Sequence, residues 1–228
     1  MSAPEDLDRG AAITRSMLGW GVVAGPFYVI VSLILALTRP GFLLSQHALS
    51  LLTLGEGGWM QRTNLVLTGL MVAVAGLGMT RAIRNGRGLA MGALCVFDGL
   101  ALMLSAVFVP DPAAGFPPGS EGGHFSSSGV LHLLFGALGF LAITAAAWAC
   151  SRWGRDEGLH SLTRASRILA ICVLVGFIGG AALATNTVGV VLLWIAVLAQ
   201  FAWLALASSS IYRWSPHPLR SQRPSPAT

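Results

Sequence analysis

The sequence predicts an all-α protein: a polytopic membrane helix bundle of six transmembrane helices, with the N and C termini both cytoplasmic and a short interfacial helix in the first outer loop. Composition is the first reason. Of 228 residues, 54% are hydrophobic and 10% charged, against about 25% charged in a soluble domain. Segmentation is the second. The apolar residues gather into six stretches, 17–38, 60–81, 88–109, 129–150, 166–186 and 188–212, each at least as long as the ~20 residues needed to cross hydrocarbon. The third reason is the placement of positive charge. All fourteen basic residues are arginine. Twelve of them (Arg9, Arg15, Arg81, Arg84, Arg87, Arg152, Arg155, Arg164, Arg167, Arg213, Arg220 and Arg223) fall on one side of the alternation, and only Arg39 and Arg62 on the other. The positive-inside rule assigns the arginine-rich side to the cytoplasm.

Each element follows from its own residues. A segment of 1–16 precedes the first span and is expected to be cytoplasmic. Its flank mixes Glu5, Asp6 and Asp8 with Arg9. The apolar core that follows exceeds the usual 7–15 residues of a signal peptide, so it reads as a retained helix. Gly69, Gly76 and Gly78 in the second span, Gly136 and Gly139 in the fourth, and Gly176, Gly179 and Gly180 in the fifth are spacings that let helices approach closely. Asn85-Gly86 is a turn signal before the third span. Residues 151–165 read as a charged, solvated loop. The tail, 213–228, carries Pro216, Pro218, Pro224 and Pro226 among serines and arginines, and is expected to be disordered. The six spans of 17–212 thus form one domain.

The outer connections carry more information. Within 46–54, at 100° per residue, Gln46, His47, Ser50 and Thr53 share one side and Ala48, Leu49, Leu51 and Leu52 the other, which predicts a short helix lying along the membrane. The second outer loop, 110–128, contains Asp111, Glu121 and His124 and no basic residue.

Two groups of residues are candidates for chemistry. Asp98 sits midway along the third span, where a carboxylate is costly and rarely faces lipid. Cys95, Ala101 and Ser105 share its helical face, and Gln200 in the sixth span lies at similar depth, within reach of a hydrogen bond by rise per residue. Asp98 reads equally as a ligand contact or as interhelical glue. The second group lies toward the outer face: His47, Ser50, Asn64, Thr68, Ser105, Asp111, His124 and His132. Ser50, Asp111 and His132 are the residue types of a nucleophile with its base, and His47, Asp111, His132 and His124 those of a zinc site. The histidine alone reads more readily as a satisfied interfacial residue. Signatures such as His-Glu-x-x-His, Gly-x-Ser-x-Gly or a P-loop are absent from the sequence. The three cysteines, Cys95, Cys150 and Cys172, lie in apolar segments and read as packing residues.

Short motifs in order (His47-Ala48-Leu49-Ser50; Gly58-Trp59-Met60-Gln61; Asn64 to Gly69; Phe108-Val109-Pro110-Asp111; Gly129-Val130-Leu131-His132; then Gly189 and Trp203) resemble the bacterial membrane family known as domain of unknown function 998. The resemblance implies a six-helix bundle in which His47, Ser50, Asp111 and His132 match the family's polar marks, and a place in the bacterial cytoplasmic membrane. A more distant similarity of residue types links the chain to the alkaline ceramidases and progestin/adipoQ-type receptors. Those have seven helices and a His-x-x-x-His pair in the last span, which this chain lacks.

Three functions are therefore weighed. One is a binding or transport protein, holding a lipid headgroup or small polar ligand in an outward-facing pocket lined by His47, Ser50, Asn64, Asp98, Ser105, Asp111, His132 and Gln200. The alternative is a zinc-dependent hydrolase of lipid amides or esters. A third is a structural partner of another membrane protein, with oligomerisation through the glycine-rich faces. The arginines lie at helix ends rather than in one patch, which favours anionic lipid over nucleic acid as their partner.

Overall fold

The computed structural model describes residues 7–120, 122–123, 125–184 and 186–219. Six α-helices, α1 Arg9–Thr38, α2 Gly58–Ala82, α3 Gly86–Val107, α4 Ser127–Asp156, α5 His160–Ala182 and α6 Thr187–Trp214, are joined by loops, with a short 3-10 helix at Leu49–Thr53. All six are long and apolar enough to cross a membrane. Among the described residues there is no β-strand. The sequence supplies many of the starts. Asp8, Asn85, Ser126 and Asn186 each accept backbone N–H groups in the first turn of α1, α3, α4 and α6, satisfying donors that a helix cannot satisfy itself.

Each helix packs on its sequence neighbours, and α6 returns to α1, closing a ring. The α2–α3 contact is the most intimate. Gly69 faces Gly99, and seven residues along α2 Gly76 faces Gly92. A side-chain carbon at any of the four would collide with the opposing backbone carbonyl. Backbone approach of this kind needs glycine on both sides. Bulky apolar side chains such as Leu37, Val107, Leu133 and Ile168 point outward, while Ser32, Gln61, Asn64, Thr68, Asp98, Ser166 and Gln200 are buried between helices. Apolar residues outside and polar residues inside is the distribution expected in lipid.

Several boundaries differ from the sequence reading. Helix α1 begins eight residues before 17 because Asp8 caps it. The expected loop 151–165 is mostly helix, with only 157–159 between α4 and α5. Hydropathy marks where a chain crosses hydrocarbon, whereas a helix continues for as long as its backbone bonds can be made. Arg87 at the start of α3 and Asp156 at the end of α4 form an ion pair in this region. The start of α1 and the end of α6 lie at the same end of the bundle, where the Asp8 N–H donates to the Pro218 carbonyl at 2.8 Å. The first residues of the segment expected to be a disordered tail are thus paired with the N-terminal segment; 220–228 lie outside the described residues.

The first inter-helix loop also differs. Its helix covers only Leu49–Thr53, and Leu49, Leu51, Leu52 and Thr53 are all buried. Leu49, Leu51 and Leu52 are the side read as apolar, and Thr53 joins them from the side read as polar. Two arginines hold the turn: the Arg39 guanidinium donates to the Leu54 carbonyl and Arg62 Nε to the Thr53 carbonyl at 3.1 Å.

Candidate functional site

The polar residues at the loop end fall into two structures, a cap and a seam. The cap is centred on His47, which is buried. Its Nδ1 accepts the Leu43 N–H at 2.9 Å, so Nε2 carries the proton and donates to the Ala114 carbonyl at 3.1 Å. The ring packs between Phe42 and Phe116, with centroids at 5.1 and 5.4 Å. Arg39 lies over the same Phe116 ring at 5.8 Å. Burial pushes the Arg39 pKa down from its ordinary value, and the nearby Glu56 pushes it back up. Ala114 adopts φ 53°, a left-handed conformation that alanine seldom takes. Ser50 lies in the 3-10 turn of the same loop, where its carbonyl accepts the Thr53 hydroxyl at 2.7 Å. Two loops far apart in sequence are thereby fastened into one lid.

The seam runs between α3 and α4. At its top, Asp111 Oδ2 accepts the Ser126 N–H at 3.0 Å. The carboxylate lies against Gly129, where any side chain would overlap it. A negative charge at the first turn of α4 is favoured by the helix dipole and its unpaired N–H groups. Below it, His132 Nδ1 donates to the Phe108 carbonyl at 2.8 Å and the Ser105 carbonyl at 3.0 Å. These carbonyls belong to the last turn of α3, which has no intrahelical donors left for them. Deeper still is Asp98, 1% exposed. Its Oδ1 lies against Gly139, and its Oδ2 is buried without a hydrogen-bond partner. Asp111 with Gly129, Ser105 with His132, and Asp98 with Gly139 follow one antiparallel register from the loop end to the middle of the bundle.

A third polar group lies between α1 and α2. Asn64 Nδ2 donates to the Tyr28 carbonyl and Ser32 Oγ at 3.1 Å each, and to Gln61 Oε1 at 3.2 Å. Gln61 Nε2 reaches Ser32 Oγ at 3.0 Å, and the Thr68 hydroxyl donates to Asn64 Oδ1 at 3.3 Å.

Residues 22–210, most of the chain, match the family described as "Protein of unknown function (DUF998)". The chain belongs to that family. No curated protein and no solved structure matches it. What DUF998 membership adds is the extent of the match, which takes in both loops of the cap, the whole seam and the α1–α2 network from Tyr28 onward.

In this DUF998 protein the sequence-derived candidates do not gather at one point. His47 and Ser50 belong to the cap; Asp98, Ser105, Asp111 and His132 to the seam; Asn64 to the α1–α2 network. Gln200 is buried on α6, and no hydrogen bond joins it to Asp98, although depth alone put the two within reach; the carboxyl faces α4 at Gly139. His124 lies outside the described residues. Among the described residues no three of His, Cys, Asp and Glu come together as metal ligands. His47 already uses both ring nitrogens, so its geometry does not fit a zinc ligand. Ser32 and Gln61 were not among the candidates. Gln61 is three and seven residues before Asn64 and Thr68, the spacing of one helix face, and that periodicity was the available signal. Ser32 offered only a lone hydroxyl in an apolar run.

Proposed function

We propose that this integral membrane protein binds or passes on a lipid headgroup or small polar ligand, and that Asp98 is its contact inside the membrane. The observation that carries the reading is the Asp98 carboxyl, 1% exposed, with Oδ2 unpartnered and a glycine where a packing side chain would otherwise stand. An acid at this depth costs at least about 2.5 kcal/mol. A purely structural acid offsets that cost by bonding a neighbouring helix. Asp98 Oδ2 has no such partner, which suits a hydrogen-bond donor or cation brought by a ligand: an amine or a hydroxyl. With both termini cytoplasmic, as the arginine distribution favours, the cap faces outward and the seam is the shortest way down to Asp98. Asp111 and His132 lie along that seam between the cap and Asp98. The hydrolase reading has less support, since three of its proposed ligands, His47, Asp111 and His132, are engaged in cap and seam hydrogen bonds.

The test compares small molecules and lipids that copurify with the wild-type protein and with Asp98→Asn, by mass spectrometry of extracts. Loss of the carboxyl's contact with the ligand should deplete an amine- or hydroxyl-bearing species by about tenfold, with folded yield retained. An identical complement in both proteins would make Asp98 a packing residue.

A further inference from the structure

We propose that the groove between α1 and α6 at the termini end binds an anionic phospholipid, its phosphate on Arg15 and Arg213 and one acyl chain along Gly19 and Val22. The site is separate from the seam and lies at the opposite end of the bundle.

The starting point is a glycine without a packing reason. In α1, Gly21 and Gly25 are needed for close approach, because a side-chain carbon there would strike Ser208 and Phe201 of α6. Gly19 is different: a side-chain carbon at that position would meet nothing within 4 Å. A helix-interior glycine is destabilising relative to alanine, so an open one calls for another explanation. Gly19 forms the wall of a cavity of about 280 Å³ whose other lining residues are Leu18, Val22, Ser209, Tyr212 and Arg213. The groove is apolar along its length and cationic at its head.

The cations are held in place. Arg15 Nε donates to the Tyr212 carbonyl at 3.2 Å, and its guanidinium lies 4.2 Å from the centroid of the Tyr212 ring. This fixes the plane of the group and leaves its terminal nitrogens without a protein partner among the described residues. Arg213 is exposed on the next residue of α6. Among the described residues neither arginine forms an ion pair. A planar, unpaired guanidinium on Tyr212, with a second arginine next in the chain after that tyrosine, suits a phosphate. The apolar floor below suits a hydrocarbon chain. A soluble anion would use the first feature and leave the second unexplained.

The experiment uses the full chain in detergent, with native mass spectrometry against phosphatidylglycerol and phosphatidylcholine of matched acyl chains. The wild type should retain phosphatidylglycerol over phosphatidylcholine by about fivefold or more. Arg15→Gln with Arg213→Gln should bring the two lipids to parity, and Gly19→Leu should weaken retention of both by filling the groove. Glycerol phosphate at equal concentration should not displace the lipid. Should the double variant fold poorly, Arg213→Gln alone, at an exposed position, should still lower the preference at least about twofold. The inference is overturned by no preference in the wild type, by a preference that survives these arginine substitutions, by full retention in Gly19→Leu, or by glycerol phosphate competing as well as the lipid does.

Discussion

His47 Nε2 lies 3.1 Å from the carbonyl of Ala114, a residue 67 positions further along the chain, and this contact joins the two long loops at one end of the bundle. The same ring accepts a second hydrogen bond on Nδ1 and is packed by Phe42 and Phe116. Replacing His47 with alanine removes both hydrogen bonds and leaves a gap between two aromatic rings. We expect a loss of roughly 2–4 kcal/mol, read as a lower apparent Tm in detergent and faster proteolysis within 110–126. Ala114→Gly should be neutral or slightly stabilising, because glycine adopts the left-handed conformation without penalty. Unchanged stability in His47→Ala with altered ligand retention would instead return His47 to a binding role.

Arg39 and Arg62, the two arginines that depart from the charge asymmetry, are both occupied by backbone carbonyls of the first loop. Their presence at this end therefore has a local structural cause and leaves the topological argument intact. Arg39→Lys should destabilise by about 1 kcal/mol, since an ammonium cannot reproduce the planar guanidinium's contact over Phe116. Neither Arg39→Lys nor Arg62→Gln should invert the protein. A cysteine introduced at Ser120 should be labelled by an impermeant thiol reagent from outside the cell, and one at Glu157 only after permeabilisation. The reverse pattern would overturn the orientation.

The glycine pairs of α2 and α3 set a sharper steric test. Gly76→Val or Gly99→Val drives a branched side chain into an opposing backbone that cannot move without separating the helices. A loss of folded, monodisperse protein is expected, corresponding to upwards of about 3 kcal/mol. Gly136→Ala, where nothing lies within 4 Å of the added carbon, should behave as wild type on size-exclusion chromatography. Equal tolerance at both places would mean that the α2–α3 contact is looser than its geometry.

Helix number was legible because hydrocarbon imposes one requirement, internal satisfaction of every backbone group, on each crossing segment. Helix length was less so: Asp8 extends α1 and Arg87 meets Asp156 beyond the apolar windows, through capping and charge rather than hydropathy. Residue types at the candidate site were also legible, and so was the burial of Asp98. What could not be read was partnership. His47 and His132 look alike in sequence as outer-face histidines, yet one bridges two loops and the other caps the end of α3. Which carbonyl a side chain finds depends on loop closure and on the α3–α4 register, neither of which leaves a periodicity in the chain. The α1–α2 network was half visible, because Gln61, Asn64 and Thr68 repeat on one face while Ser32 depends on which helix comes opposite.

Gly139 provides the way to separate the two meanings of Asp98. A side-chain carbon there would come within 2.9 Å of Asp98 Oδ1, a contact with the mobile end of a side chain that a small rotation relieves. Gly139→Ser therefore places a hydroxyl beside the carboxyl and supplies the donor that the native bundle withholds. If Asp98 awaits a ligand, this internal donor should stabilise the fold by up to about 1 kcal/mol and displace the copurifying molecule. Gly139→Ala adds the carbon without the hydroxyl and should not give that stabilisation. The measurement is a paired one, apparent Tm and retained ligand for each variant. A serine variant that keeps its ligand at wild-type levels would place the binding chemistry elsewhere in the bundle.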